Sequence, residues 1–422
     1  MAEEQFFSMF TDKLKNEVER LPPIALDSSF SQEIYPKYWQ RFDGCEEIDY
    51  PVIACDGSLG TSQFSGGITF WVARAVAHTY LNNSLRKVKP IVEVKADYRL
   101  EGHSFFMKAA ELKVLRLAVE EALEEYGEAL ALYDGSLYLV FLHHRPHIEA
   151  RREAIESYVN ELTALIRLGI NKNVRLIGVS KDSDISYLRA HIIVEELRKH
   201  GFNSFRHYRS IKRMRERISD DLKVKVKAIN REYFKEIALD ISDEALVNTL
   251  MKESGFTTPL LLAPQTSYVL HESEKEHKRW SESSLRRGSK SLSSLLQKMD
   301  ELYSLPPIAL IYWKPKHCLR TYRLDVPSYQ LGVDVKTEDL IVDKFVNEKG
   351  IQAMKHLIEL LNSLDRKAYG IRPLLDVDEI ARLIRRRYTR AYEPVIFEEL
   401  KSHGFNVEQR KRSMRDYYMR RY

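Results

Sequence analysis

The stretch "YPVIACDGSLGT", residues 50–61, sets an aspartate directly after an apolar run. Val52, Ile53, Ala54 and Cys55 predict a short buried strand over 51–56 that Asp56, Gly57 and Ser58 end. A carboxylate at the end of a buried strand is costly unless a cation meets it. The same words return in "EALALYDGSLYLVFL", residues 128–142, where Asp134 closes a second apolar run and Gly-Ser follows again. One such motif reads as a turn; two in one chain point to a site.

Around these strands the pattern is regular. "GGITFWVARAVAHTYL" (66–81) and "PIVEVKADYRL" (90–100) read as the second and third strands, the latter by strict alternation. "HSFFMKAAELKVLRLAVEEALEEYG" (103–127) has helical spacing, with Ala110, Val114, Leu117, Ala118 and Leu123 on one side and Gly127 as its stop. A strand over 128–142, a helix over 148–169, a strand over 174–184 and a helix over 185–201 follow. The order β-β-β-α-β-α-β-α predicts an antiparallel meander continued by parallel strands with right-handed crossovers. The expected fold is therefore α/β, a ribonuclease-H-like mixed sheet flanked by helices, with a basic helical insertion and C-terminal helices. The divisions expected are an N-terminal helical and loop segment (1–48), the first part of the core (49–201), the insertion (202–304), the completion of the core (305–392) and a basic tail (393–422).

Composition narrows the classes. The 422 residues are 44% hydrophobic, and no run approaches the ~18 consecutive apolar residues of a membrane span. The acidic, helical start is unlike a secretory signal. Cys45, Cys55 and Cys318 are too scattered for a disulfide framework or a zinc site. Together these features predict a cytoplasmic protein without a membrane partner. A charged fraction of 30% suits a thermophile. The net charge is +5, but residues 206–235 hold eleven Lys/Arg against four Asp/Glu, and 410–422 hold six against one. Basic clusters mixed with Tyr, Phe and His attract a phosphate backbone. Arg209, Lys212 and Arg213 are the candidate contacts in the first cluster.

Three carboxylates fall together on this layout. Asp56 ends strand one, Asp134 lies at the end of strand four, expected beside strand one, and Glu111 lies in the second turn of the intervening helix. Mutual repulsion of three converging acids raises their pKa values. Hard divalent cations, Mn²⁺ or Mg²⁺, resolve it through oxygen ligands. Two such ions ~3.5–4 Å apart suit metal-assisted hydrolysis of a phosphodiester. Gly57 and Gly135 are small enough to admit a phosphate backbone, and Ser58 and Ser136 are placed to orient waters or cap turns. In "GVSKDSD", Lys181 is a candidate phosphate contact, while Asp182 and Asp184 read equally as a fourth ligand or as the cap of the next helix. Within "RTYRLD", Arg320, Tyr322 and Arg323 fit a single-strand groove, or simply a sheet edge. A glycine-turn ATPase of the actin and sugar-kinase class shares the core fold, but it leaves Glu111 without a role. A non-catalytic subunit that binds DNA or docks a translocase is the other alternative.

The ordered set "DGS" (56–58), Glu111 in "AAELKVLRLAVEEAL", "DGSL" (134–137), "GVSKDS" (178–183) and "TYRLDVP" (321–327) resembles the NurA nuclease family. The resemblance implies a Mn²⁺-favouring DNA nuclease of 5′–3′ exonuclease and single-strand endonuclease type. It also implies a homodimer that works beside a hexameric HerA helicase-translocase in DNA end resection and repair. By position, Asp56, Glu111 and Asp134 inherit the metal-ligand roles and Lys181 the basic role. Family members carry a Pro-Leu-x-x-Ala-His sequence near the C-terminus. Here "RPLLDVDEIAR" puts Val377 and Asp378 where Ala-His would stand, and Asp378 offers a carboxylate in place of an imidazole.

Overall fold

The computed structural model describes residues 2–20, 26, 28–64, 67–98, 103–138, 148–181, 183–199, 236–237, 239, 241–264, 290–316, 320–366 and 370–405. Its strands are β1 (Trp39–Arg41), β2 (Val52–Gln63), β3 (Thr69–Leu81), β4 (Ser84–Asp97), β5 (Glu128–Asp134), β6 (Asn173–Ser180), β7 (Gly255–Thr257), β8 (Leu260–Leu261), β9 (Ile308–Lys314), β10 (Tyr322–Pro327) and β11 (Lys344–Phe345). Its helices are α1 (Ala2–Arg20), α2 (Ser29–Glu33), α3 (His103–Tyr126), α4 (Ile148–Asn171), α5 (Tyr187–Lys199), α6 (Asp243–Leu250), α7 (Lys290–Tyr303), α8 (Glu348–Leu364), α9 (Arg372–Ala381), α10 (Arg385–Ala391) and α11 (Glu393–Ser402).

One mixed sheet runs β1-β7-β9-β10-β6-β5-β2-β3-β4, with β8 and β11 attached beside β9. Strands β2, β3 and β4 form the expected antiparallel meander, and β5 and β6 continue it in parallel. β10 then closes antiparallel on β6 and is followed by β9. The interior of β5 is apolar, Ala129 to Tyr133 all being buried, as a parallel strand covered on both faces must be. On one face Ile53, Cys55 and Ala131 pack with Leu112, Val119 and Leu162 of α3 and α4. On the other, Ala54, Leu132 and Val179 pack with Leu357, Leu361, Leu374 and Val377 of α8 and α9. Gly127 ends α3 at φ +83°, its N–H donating to Leu123 O at 3.0 Å.

Several local expectations change. β2 does not stop at Asp56. It continues seven residues further, paired with β3 from Val52↔Tyr80 to Gln63↔Thr69. The polar Asp-Gly-Ser is a turn signal only while no neighbouring strand is there to hold it; β3 supplies that neighbour. β3 is extended from Thr69 to Leu81 as expected, and α9 opens with Pro373 in its first turn. Gly255–Thr257 and Leu260–Leu261, from the span expected as an insertion, join the main sheet. Arg209, Lys212, Arg213 and the basic 410–422 run lie outside the described residues.

Candidate active site

The register of β2 and β5 builds the site. Val52 to Cys55 pair in parallel with Leu130 to Tyr133, so the next position brings Asp56 beside Asp134. Both share a sheet face with Ala54, Val76 and Leu132. β6 continues the row: Asp134 pairs with Val179, and Lys181, two residues on, reaches back to Asp134 Oδ2 at 2.7 Å.

Glu111 arrives from the other face, on α3. It is 3% exposed and accepts a hydrogen bond from Tyr133 Oη at 3.0 Å. Its path runs over Gly57, where a β-carbon would lie 2.7 Å from Glu111 Cγ. Gly57, expected to admit a phosphate backbone, instead makes the room through which a buried glutamate passes. Asp378 completes the group from α9, and its charge acts on both Asp56 and Asp134.

The electrostatics follow from this burial. Desolvation, reinforced by Asp134 and Asp378, lifts the Asp56 carboxyl to about 6 against the pull of the Gly57 N–H. Desolvation and then Asp56 lift Glu111 to about 8. Desolvation raises Asp134 as well, opposed by Lys181. Asp56 and Glu111 hold protons well above the ordinary carboxylate range because water is excluded and like charges face each other. An all-oxygen, charge-crowded donor set of this kind suits a hard divalent ion. Asp56, Glu111 and Asp134 are the residues that could hold one. Among the described residues, the three side chains whose ligand atoms all lie within 4.8 Å of one another are elsewhere, Glu46, His356 and Glu359. The Asp56 trio would therefore have to draw in around an ion.

The remaining candidates divide. Tyr322 is buried on β10, its ring tilted against Trp313 with centroids 5.5 Å apart. The register Arg323↔Ser180 sets it beside Lys181. Arg323, expected in a DNA groove, is a correction: it is 4% exposed and grips Asp325 through both carboxylate oxygens, at 2.9 and 3.0 Å. Alternation puts Arg323 and Asp325 on the α3 side of the sheet, away from Asp56. Arg320 is exposed at the entrance to β10, and Asp184 is exposed ahead of α5. Asp182 lies outside the described residues. The cap of α5, expected from Asp182 or Asp184, comes from Asp243, which accepts from the N–H groups of Leu188 and Arg189 at 2.9 Å each. Ser136 caps its turn, its Oγ accepting the Tyr138 N–H at 3.1 Å, whereas Ser58 bonds a distant helix. Ser58 Oγ donates to Ala381 O of α9. Ser136 Oγ donates to Asp325 Oδ2 at 2.6 Å.

Sequence reasoning missed the Arg323–Asp325–Ser136 cluster, which also accepts the Tyr138 N–H at 3.2 Å and so fixes the turn after Asp134. Its signal was present: opposite charges two apart on an apolar strand share a face and pair. It missed Asp243, whose placement depends on contacts remote in sequence.

The NurA domain family profile matches residues 50–328, two thirds of the chain and both Asp-Gly-Ser strands. The chain belongs to the NurA domain family. The fold of this NurA-family chain is similar to the crystal structure of the NurA nuclease from Sulfolobus solfataricus, with 12% identity, TM-score 0.51 and coverage of 95% of this chain and 98% of that one. A crystal structure of NurA (14% identity, 94% and 96% coverage, TM-score 0.39) and one of NurA with manganese (14%, 94% and 98%, 0.37) also match. No curated protein sequence matches the NurA-family chain. Among its described residues, no helix is long and apolar enough to cross a membrane.

Proposed function

We propose that this NurA-family protein is a metal-dependent DNA nuclease, with Asp56, Glu111 and Asp134 as the metal-binding carboxylates. The observation that carries the reading is that three chain-distant acids lie near enough for their charges to act on one another, burial and mutual repulsion lifting Asp56 to about 6 and Glu111 to about 8. The fold likeness to the Sulfolobus nuclease supports it. When bound, Mn²⁺ or Mg²⁺, as a pair of ions, supplies charge neutralisation and an acidified water for attack on phosphorus. The chain's own parts divide the remaining work. Tyr133 orients Glu111 through its hydroxyl. Lys181 holds Asp134 and offers an ammonium to a phosphate oxygen. Asp378, in place of the family histidine, adds a fourth carboxylate instead of an imidazole. Partnership with a HerA-type hexameric translocase, homodimer formation and a role in DNA end resection belong to the same proposal and rest on family membership.

The test is cleavage of labelled single-stranded DNA by the full chain with and without Mn²⁺, alone and with a HerA-type partner. Wild type should degrade the strand only with metal, and Asp56→Asn or Asp134→Asn should abolish cleavage while DNA binding persists. Full activity in either variant would remove the assignment. DNA binding without cleavage under every condition would leave the non-catalytic docking subunit as the reading.

A further inference from the structure

The even-numbered residues of β2 share the face that carries Asp56, and each performs a different task. Ser58 holds the C-terminal carbonyl of α9 at Ala381. Gly60 receives the ring of Tyr388 from α10 so closely that a β-carbon there would lie 2.2 Å from it. Ser62 Oγ lies within hydrogen-bond distance of both the Tyr388 hydroxyl and Glu393 Oε1, at 2.9 Å each. At ~3.3 Å per residue, the α10 anchor lies roughly 13 Å along the strand from Asp56.

The segment pinned there is strongly basic. Arg382, Arg385, Arg386, Arg387 and Arg390 fall within nine residues, and no acidic residue interrupts 380–392. All five are exposed. Arg382 pairs with Asp378 at 2.9 Å. Arg386, Arg387 and Arg390 form no ion pair among the described residues. The spacing 386–390 puts like charges one turn apart on α10, which destabilises a helix unless an anion lies against it. Tyr388 is the buried residue of α10, so the helix is seated by one aromatic anchor and otherwise presents guanidinium groups.

We infer that α10 and the turn before it form a phosphate-binding track for the DNA strand running out of the active site, with Arg386, Arg387 and Arg390 contacting its backbone. The inference rests on the nuclease reading and adds where the substrate lies. Arginine suits the role because its fork meets phosphate oxygens at any base sequence. Arg382 links the track to the site: it is bonded to Asp378, whose charge reaches Asp56 and Asp134.

The experiment measures binding of a fluorescein-labelled oligothymidylate by anisotropy over a salt series. Cleavage is silenced with Asp56→Asn. Three forms are compared: this parent, a triple Arg386→Gln, Arg387→Gln, Arg390→Gln variant, and a control with the same charge loss elsewhere, Lys37→Gln, Lys344→Gln, Lys349→Gln. Each lost phosphate contact should reduce the slope of log affinity against log salt by about 0.7, so the arginine variant should lose about two units of slope and on the order of tenfold in affinity. The control should change little, and both variants should melt near the parent. An unchanged slope in the arginine variant, or an equal loss in the control, overturns the track while leaving the nuclease reading intact. A wild-type chain that neither binds nor cleaves DNA overturns both.

Discussion

Gly57 and Glu111 share one space: a β-carbon built on Gly57 would lie 2.8 Å from Glu111 Oε1 and 3.1 Å from Arg74 O. The glycine thus leaves the space in which a helix on one face of the sheet holds a carboxylate behind the strand whose Asp56 faces the other side. Gly57→Ala should force Glu111 aside, since the neighbouring carbonyl cannot yield. Overpacking of this kind costs about 1–3 kcal/mol. Activity should fall much further than stability, because the displaced group is the proposed ligand. Denaturant melts alongside cleavage assays check this; an active Gly57→Ala enzyme would show that Glu111 is not needed at its present position.

Glu111 gives the metal-free protein a pH dependence of definite sign. Its carboxyl is lifted from 4.5 to about 8 in the fold, so the folded state binds the proton more tightly than the unfolded chain. The group's favourable contribution is complete below about 4.5 and is lost as pH rises through about 8. In chelator-treated protein, Glu111→Gln should flatten this slope and exceed wild type at alkaline pH by on the order of a few kcal/mol. The variant should nonetheless be inactive. Unfolding midpoints measured across pH 4 to 9 test it; parallel curves for the two proteins would contradict the burial argument.

Lys181 sits 2.7 Å from Asp134 Oδ2. Lys181→Met should lower cleavage by about a hundredfold, the scale of a lost positioned charge or proton donor. It should not weaken Mn²⁺ binding, because the lysine competes with the ion for Asp134. Calorimetry of Mn²⁺ binding to the variant separates this from a structural effect: weaker binding together with lost activity would make Lys181 a support for the metal site.

The Arg323–Asp325 pair is almost wholly buried, at 4% and 1% exposure. Asp325→Ala leaves a guanidinium stranded in the core and should cost about 3–5 kcal/mol. Replacing both residues by apolar ones of similar volume should recover most of that loss. Urea unfolding of the single and double variants forms the cycle that checks it.

The fold was readable where one residue type dominates a short segment. The apolar runs before Asp56 and Asp134, the alternation of β4 and the glycine stop of α3 all carry their structure locally. The meeting of Asp56 with Asp134 was also accessible, because strand order follows from the β-β-β-α-β succession. What could not be read locally were features decided across the chain. β2 runs through two glycines because β3 pairs with it for its whole length. Ser58 bonds a carbonyl 323 residues away, and α5 is capped by a residue from beyond the basic segment. Arg323 was taken for a surface residue because charge usually means exposure; its partner two residues on reversed that.

The interior network around Arg189 has a use in protein engineering. Its guanidinium, fully buried, donates to the carbonyls of Leu239 and Glu236, while Glu236 in turn accepts from Tyr35 at 3.0 Å. Asp243 fastens the same helix at its first turn. The described residues on either side of 200–235, Lys199 and Glu236, are therefore held about ten residues of α5 apart, or ~15 Å. A bridge of roughly six to ten flexible residues spans that gap. For engineering, the two ends are the place to exchange the intervening segment for a chosen module, with the carboxylate-bearing sheet expected to keep its shape.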